Sequence, residues 1–163
     1  MDPAVAGPES RARANSGESR ALWAAVKAGH VDICKLLMNP AVAGLEFRAR
    51  ANSYNSWALV AAVNEGHADV CKLLMNPAVA GLEYRARANS DNSWALRAAA
   101  KAGHADVCKL LMDPAVAGPE YLARANSVNS GALWAAAKEG HSDVFLLLMD
   151  AIVKLDNNWF LSL

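Results

Sequence analysis

Three residue types in this chain could do chemistry, and each recurs at one fixed spacing. Cys34, Cys71 and Cys108 stand 37 residues apart. So do His30, His67, His104 and His141, each preceded by a glycine and followed two residues later by Asp32, Asp69, Asp106 or Asp143. Arg48 and Arg50 recur as Arg11 and Arg13, as Arg85 and Arg87, and last as Arg124 beside Leu122. Zinc needs thiolates and imidazoles converging on one point, and none of the short Cys/His spacings is present. One cysteine per repeat gives a column with a helix-packing spacing of about 10 Å. A disulfide needs Cα atoms closer than about 7 Å. The fourth copy carries Phe145 at this position, which suits a core and not a ligand. Buried apolar thiols are therefore expected. A His–Asp pair could exchange protons, but four copied pairs at helix starts read as capping. An imidazole at such a junction can tie carbonyls of the turn to the next repeat. With no nucleophile–base pair, phosphate loop or carboxylate cluster, the expectation is no enzyme, no metal and no cofactor.

The elements that position these residues are copies of one unit. Residues 21–37 return at 58–74, 95–111 and 132–148, and the connecting text opening at Met1 returns from Met38, Met75 and Met112. A fixed period of this size is the signature of a solenoid. The reading is a single array with repeats 1–37, 38–74, 75–111 and 112–148, then a tail 149–163. Within one copy, Ala58, Leu59, Ala61, Ala62 and Val63 form a small-residue helix face, with Ser56 as its N-cap and Gly66 as a left-handed stop. A second helix carries Asp69 in its first turn, then Val70, Cys71, Leu73 and Leu74, and Pro77 ends it. Each unit is a pair of short antiparallel helices joined at Gly-His. Neither helix could stand alone, so stability must come from stacking.

This core resembles the ankyrin repeat, which reads Thr-Pro-Leu-His-x-Ala-Ala-x-x-Gly-His-x-x-Ile-Val-x-x-Leu-Leu. Ala58-Leu59 fall at its Pro-Leu, Gly66-His67 at its Gly-His, Val70-Cys71 at its Ile-Val and Leu74-Met75 at its final Leu-Leu. The likeness covers all four copies. Arg20, Trp57, Trp94 and Gly131 replace the family's Thr, and Trp23, Val60, Arg97 and Trp134 replace its first His. The unit exceeds the usual 33 residues by four, placed in the connector, as in the divergent ankyrin arrays of algae, other protists and some viruses. The resemblance implies an all-α helix-turn-helix solenoid with long connecting fingers, four repeats and a C-terminal cap. It also implies a concave groove lined by turn tips and first helices.

Composition agrees. More than half of the 163 residues are apolar, and 16 acids balance 16 bases, so nothing pulls the chain globally towards nucleic acid or anionic membrane. No apolar run reaches membrane-spanning length, and Met1-Asp2-Pro3 does not open a signal peptide. A monomer in a reducing, cytoplasmic interior is expected. The first copy carries Ser10 where the others have Phe47, Tyr84 or Tyr121, a polar change suited to an end repeat.

The connector from Asn39 to Ser56 contains Pro40 and Gly44, then helix formers from Leu45 to Ala51. It reads as an irregular finger with one extra helical turn, closing in an Asn52-Ser53-x-Asn55-Ser56 turn. Its arginines could grip a phosphate backbone or an acidic partner. Because Glu9, Glu46, Glu83 and Glu120 recur beside them, a ladder of Glu–Arg pairs between fingers is the expectation. The tail ends in Trp159-Phe160-Leu161, an apolar group expected to fold back as a cap.

Copies two and three differ at six positions, and most of these lie at the turn tip or on the first helix: Tyr54/Asp91, Val60/Arg97, Asn64/Lys101 and Glu65/Ala102. The candidate partner-binding row is therefore Tyr54, Trp57, Asp91, Trp94, Arg97, Val128 and Trp134, since Trp and Arg are common interface anchors. Packing between repeats is the favoured reading for the tryptophans themselves. The leading function is a non-enzymatic module that recognises another protein, with nucleic acid and membrane not expected as partners. One alternative is a designed or idealised scaffold with no natural ligand. The other is a binder of an anionic ligand or RNA through the arginine column.

Overall fold

The computed structural model describes residues 13, 15, 17, 19–43, 46 and 48–160, excluding the side chains of residues 128, 129 and 155–160. Each copy contributes a first helix and a second helix, and the first three copies add a one-turn helix. These are α1 (Arg20–Lys27), α2 (Val31–Met38) and α3 (Pro40–Ala43), then α4 (Ser53–Asn64), α5 (Ala68–Met75) and α6 (Pro77–Ala80). The third copy gives α7 (Ser90–Ala102), α8 (Ala105–Met112) and α9 (Pro114–Ala117). The last gives α10 (Ser127–Glu139) and α11 (Ser142–Phe160). Among the described residues there is no strand. First helices stack in one row in the order α1, α4, α7, α10, and second helices in a parallel row, α2, α5, α8, α11.

Between the rows lies a continuous core built from repeat columns. Leu22, Leu59 and Leu96 are fully buried, as are Leu74, Leu111 and Leu148. Each such leucine contributes roughly 1.5–3 kcal/mol by leaving water. Cys34, Cys71 and Cys108 form the expected buried column, with no disulfide. Burial pushes their thiols up, Cys34 to about 11 and Cys71 and Cys108 to about 12, with the Asp106 charge adding to the latter two.

Three hydrogen bonds recur along the stack, and they hold neighbouring copies in register. The hydroxyls of Ser19, Ser56 and Ser93 accept from the backbone N–H of Arg50, Arg87 and Arg124, at 3.0, 2.9 and 3.1 Å. Asn15, Asn52 and Asn89 donate to the carbonyls of Glu46, Glu83 and Glu120. His67, His104 and His141 bring Nε2 within 3.1–3.4 Å of the carbonyls of Lys27, Asn64 and Lys101 in the preceding copy. The histidine ring then lies on the preceding copy's glycine. A Cβ on Gly66 would stand 2.9 Å from His104, and its φ of +72° already excludes most side chains.

The serine bonds correct one expectation. Ser56 does not cap its own helix: it sits at φ +64° and gives its oxygen to the next copy. The finger differs too. Its helical turn lies at Pro-Ala-Val-Ala, and in the third copy the residues equivalent to the expected segment, 82–88, form no helix. Proline suits the first helical position, and Asn76 or Asp113 caps the N–H of Ala78 or Ala115. The following residues turn and extend, burying Ala86 and Ala88.

The tail also departs from a fold-back. Where earlier copies have Pro40, Pro77 and Pro114, the fourth has Ala151, so α11 runs on without a break to Phe160. The side chains of Trp159 and Phe160, together with Leu161 and Ser10, lie outside the described residues.

Candidate functional site

The candidate surface begins at an unusual turn. Tyr54, Asn55 and Ser56 all have positive φ (+47°, +53° and +64°), and Asp91, Asn92 and Ser93 repeat this at +48°, +55° and +61°. Asn and Asp tolerate the left-handed region better than most residues, which suits three of these six positions. The left-handed turn directs the serine inward to its staple and leaves the next residue, Trp57 or Trp94, at the start of the first helix. There Ala58 and Ala95 pack inward, 8% and 3% exposed, while Trp57 and Trp94 remain 57% and 42% exposed.

The tryptophans therefore do not pack between repeats, contrary to the sequence-based expectation. Ala58 and Ala95 take the inward position beside them. Trp23 and Trp134, three residues further along the unit, are likewise exposed. Together these residues line a series of hollows along the first-helix row. One of about 460 Å³ is bounded by Gly17, Arg20, Trp23, Tyr54 and Trp57. The next shares Tyr54 and Trp57 and adds Val60, Asp91 and Trp94. A third, lined by Trp94, Arg97, Arg124 and Gly131 among others, shares Asp91 and Trp94 with the second. Shared walls make the hollows one trough. Of the expected row, Tyr54, Trp57, Asp91, Trp94 and Arg97 meet in it. Trp134 stands exposed on α10, and the side chain of Val128 lies outside the described residues.

Aromatic rings and cations alternate along this surface. Lys27 lies 5.4 Å from the Trp23 ring centre, Arg97 5.0 Å from that of Trp94, and Lys138 5.1 Å from that of Trp134. Trp57 has Val60 and Ala61 at the corresponding positions, so no cation covers it from its own helix.

On the finger side the expected Glu–Arg ladder is absent. Among the described residues, no ion pair joins Glu46, Glu83 or Glu120 to Arg48, Arg50, Arg85, Arg87 or Arg124. The arginines instead hold the next copy's tyrosine: Arg48 and Arg50 lie 4.6 and 5.0 Å from the Tyr84 ring centre, and Arg85 and Arg87 4.7 and 4.8 Å from that of Tyr121. A guanidinium on an aromatic face gains roughly 0.5–2 kcal/mol without a carboxylate. Arg85 is buried in this stack, and its guanidinium rests on Gly118.

Comparison with known families gives one match. The model described as ankyrin repeats (3 copies) fits residues 6–87, half of the chain. The chain belongs to the ankyrin repeat family. Ankyrin repeats are generally protein–protein interaction modules and typically non-enzymatic. No curated protein and no solved structure matched the chain. Among the described residues, no helix is long and apolar enough to cross a membrane.

Two positions of this ankyrin repeat protein depart from the family pattern, and all but Trp134 of the residues there line the trough. The family's Thr position holds Arg20, Trp57, Trp94 and Gly131, and its first His position holds Trp23, Val60, Arg97 and Trp134. The trough also includes Arg20, Trp23, Lys27 and Arg124, which the predicted row omitted. Trp23 and Arg20 were legible, since they occupy the same repeat positions as Trp134 and Trp57. Arg124 was not, because it lies in a connector and reaches the trough only through the stacking of the fourth copy on the third.

Proposed function

We propose that this ankyrin repeat protein is a monomeric, non-enzymatic recognition module that binds another protein along the trough formed by its turn tips and first helices. The observation that carries this reading is the row of tryptophans, Trp23, Trp57, Trp94 and Trp134, 39–59% exposed on one face. Keeping four indoles in water is unfavourable, and a partner that covers them recovers that free energy. Trp is also among the commonest anchors of interfaces. The test is capture from cell lysate by the parent protein and by a variant carrying Tyr54→Ala, Asp91→Ala and Arg97→Ala. These three side chains are exposed, so the fold should survive their loss. A partner bound by the parent and lost by the variant supports the trough. Equal capture, or none, removes it and favours an idealised scaffold without a natural ligand.

A second reading takes the finger arginines as an anion site, favoured by the absence of glutamate partners among the described residues. Exposed Arg50, Arg87 and Arg124 form its column, although the first two are engaged with tyrosine rings. Salt-dependent retention on heparin, lost in Arg50→Gln with Arg87→Gln, would support it.

A further inference from the structure

The charge pattern of the trough says what its occupant should look like, an inference that rests on the trough being a binding surface. The hollows are lined by four cations, Arg20, Lys27, Arg97 and Arg124, against two acids, Glu65 and Asp91. None of these four cations is in an ion pair among the described residues. They are also not spread evenly. Arg20 and Lys27 belong to the first copy, while Arg97 lies in the third and Arg124 in the connector of the fourth. Between them, in the second copy, stand Trp57, Val60 and Ala61, with no cation on the indole from its own helix. The trough thus has Trp57, Val60 and Ala61 at its centre, edged by Asn64 and Glu65, with a cationic flank on either side.

We propose that the occupant is an acidic segment of a partner protein, with one bulky apolar side chain against Trp57 and a carboxylate on each side. The spacing follows from the stack. Neighbouring copies lie about 10 Å apart, a helix-packing distance. An extended chain covers about 10 Å in three residues. The segment therefore reads acid-x-x-apolar-x-x-acid, running along the first-helix row. One carboxylate meets Arg20, and the other meets Arg97 and Arg124; Lys27, about 10 Å along α1 from Arg20 and in a hollow shared with Glu65, lies outside the contact. Asp91, beside Arg97 in the same hollow, opposes the second carboxylate and limits that end to one acid.

The test uses three fluorescein-labelled synthetic peptides in polarisation titrations at about 0.15 M salt, where distant exposed charges are largely screened. The first is Gly-Ser-Glu-Ser-Ser-Trp-Ser-Ser-Glu-Ser-Gly. The others replace both glutamates by serine or by lysine. The glutamate peptide should bind about tenfold more tightly than the serine peptide, since each exposed ion pair is worth at most about fivefold. The lysine peptide should bind more weakly still. Trp57→Ala should abolish binding, Arg97→Gln should weaken the glutamate peptide alone, and Asp91→Asn should strengthen it. Equal binding of all three peptides that Trp57→Ala abolishes overturns the acidic occupant and leaves the trough reading standing. Binding of none overturns the inference too, and lysate capture then decides the trough separately. A Trp57-dependent dimer in sedimentation overturns it in favour of a second copy of this chain.

Discussion

Replacing Ser56 by alanine should loosen one joint of the stack and leave the rest intact. Ser56 is 2% exposed; its hydroxyl accepts from the N–H of Arg87 at 2.9 Å and lies 3.2 Å from the hydroxyl of Ser90. Without that oxygen the Arg87 N–H, partly buried against the second copy, has no partner. An unsatisfied group of this kind costs about 1–2 kcal/mol, and the lost Ser–Ser contact adds a few tenths. For an array of this size, about 2 kcal/mol lowers Tm by roughly 4–8 °C. In a linear stack the loss falls on the interface between the second and third copies. Thermal and urea unfolding followed by circular dichroism would measure it against Ser53→Ala, a half-buried serine whose hydroxyl makes no hydrogen bond among the described residues. Ser56→Gly loses the same oxygen but also removes a Cβ at φ +64°, so it should recover about 1 kcal/mol relative to Ser56→Ala. If Ser56→Ala matches the parent or Ser53→Ala, the serine staple does not hold the copies together.

Three further outcomes follow from the same geometry. Gly66→Ala should cost about 1–2 kcal/mol from its φ of +72° and more from the 2.9 Å approach to His104. Gly140→Ala, at φ +80° with nothing within 4 Å, should cost only the first part in the same unfolding assay. Thiols raised by burial to about 11–12 stay protonated in the fold while unfolded thiols ionise near their ordinary 9.0. Their contribution is thus complete below pH 9 and declines as pH rises towards 11–12; unfolding midpoints at pH 8 and pH 10 should separate less in a variant with all three cysteines replaced by alanine. Ala151→Pro, which restores the proline of the other copies, should break α11 at a cost of about 3 kcal/mol, seen as lost helical ellipticity and a lower Tm.

The solenoid was legible because its evidence is repeated. A period of 37, the Gly-His junction and the alternation of leucine and cysteine each appear in several copies, so one ambiguous residue changes nothing. The left-handed glycines and the ends set by Pro40, Pro77 and Pro114 are local features of backbone chemistry, and they read directly. What escaped was contact between copies. Nothing beside Ser56 in the sequence says that its hydroxyl serves Arg87, 31 residues away. Nor does the Glu-x-Arg-x-Arg text say that the arginines prefer the tyrosine ring of the next copy to the carboxylate nearby. The tryptophans were misplaced for a related reason. Whether an indole packs or protrudes depends on the three positive φ values before it, and Tyr54-Asn55-Ser56 does not announce a left-handed turn by type alone.

The central claim is that a partner protein lies in the trough, and site-specific photo-crosslinking tests it most directly. A benzophenone amino acid would replace Asn64, exposed in the trough, in one preparation and Lys72, exposed on the second-helix row, in another. Irradiation in cell lysate should give a discrete adduct from position 64 and none of the same mass from position 72. The same adduct from both positions, or an adduct from position 72 alone, would contradict the account.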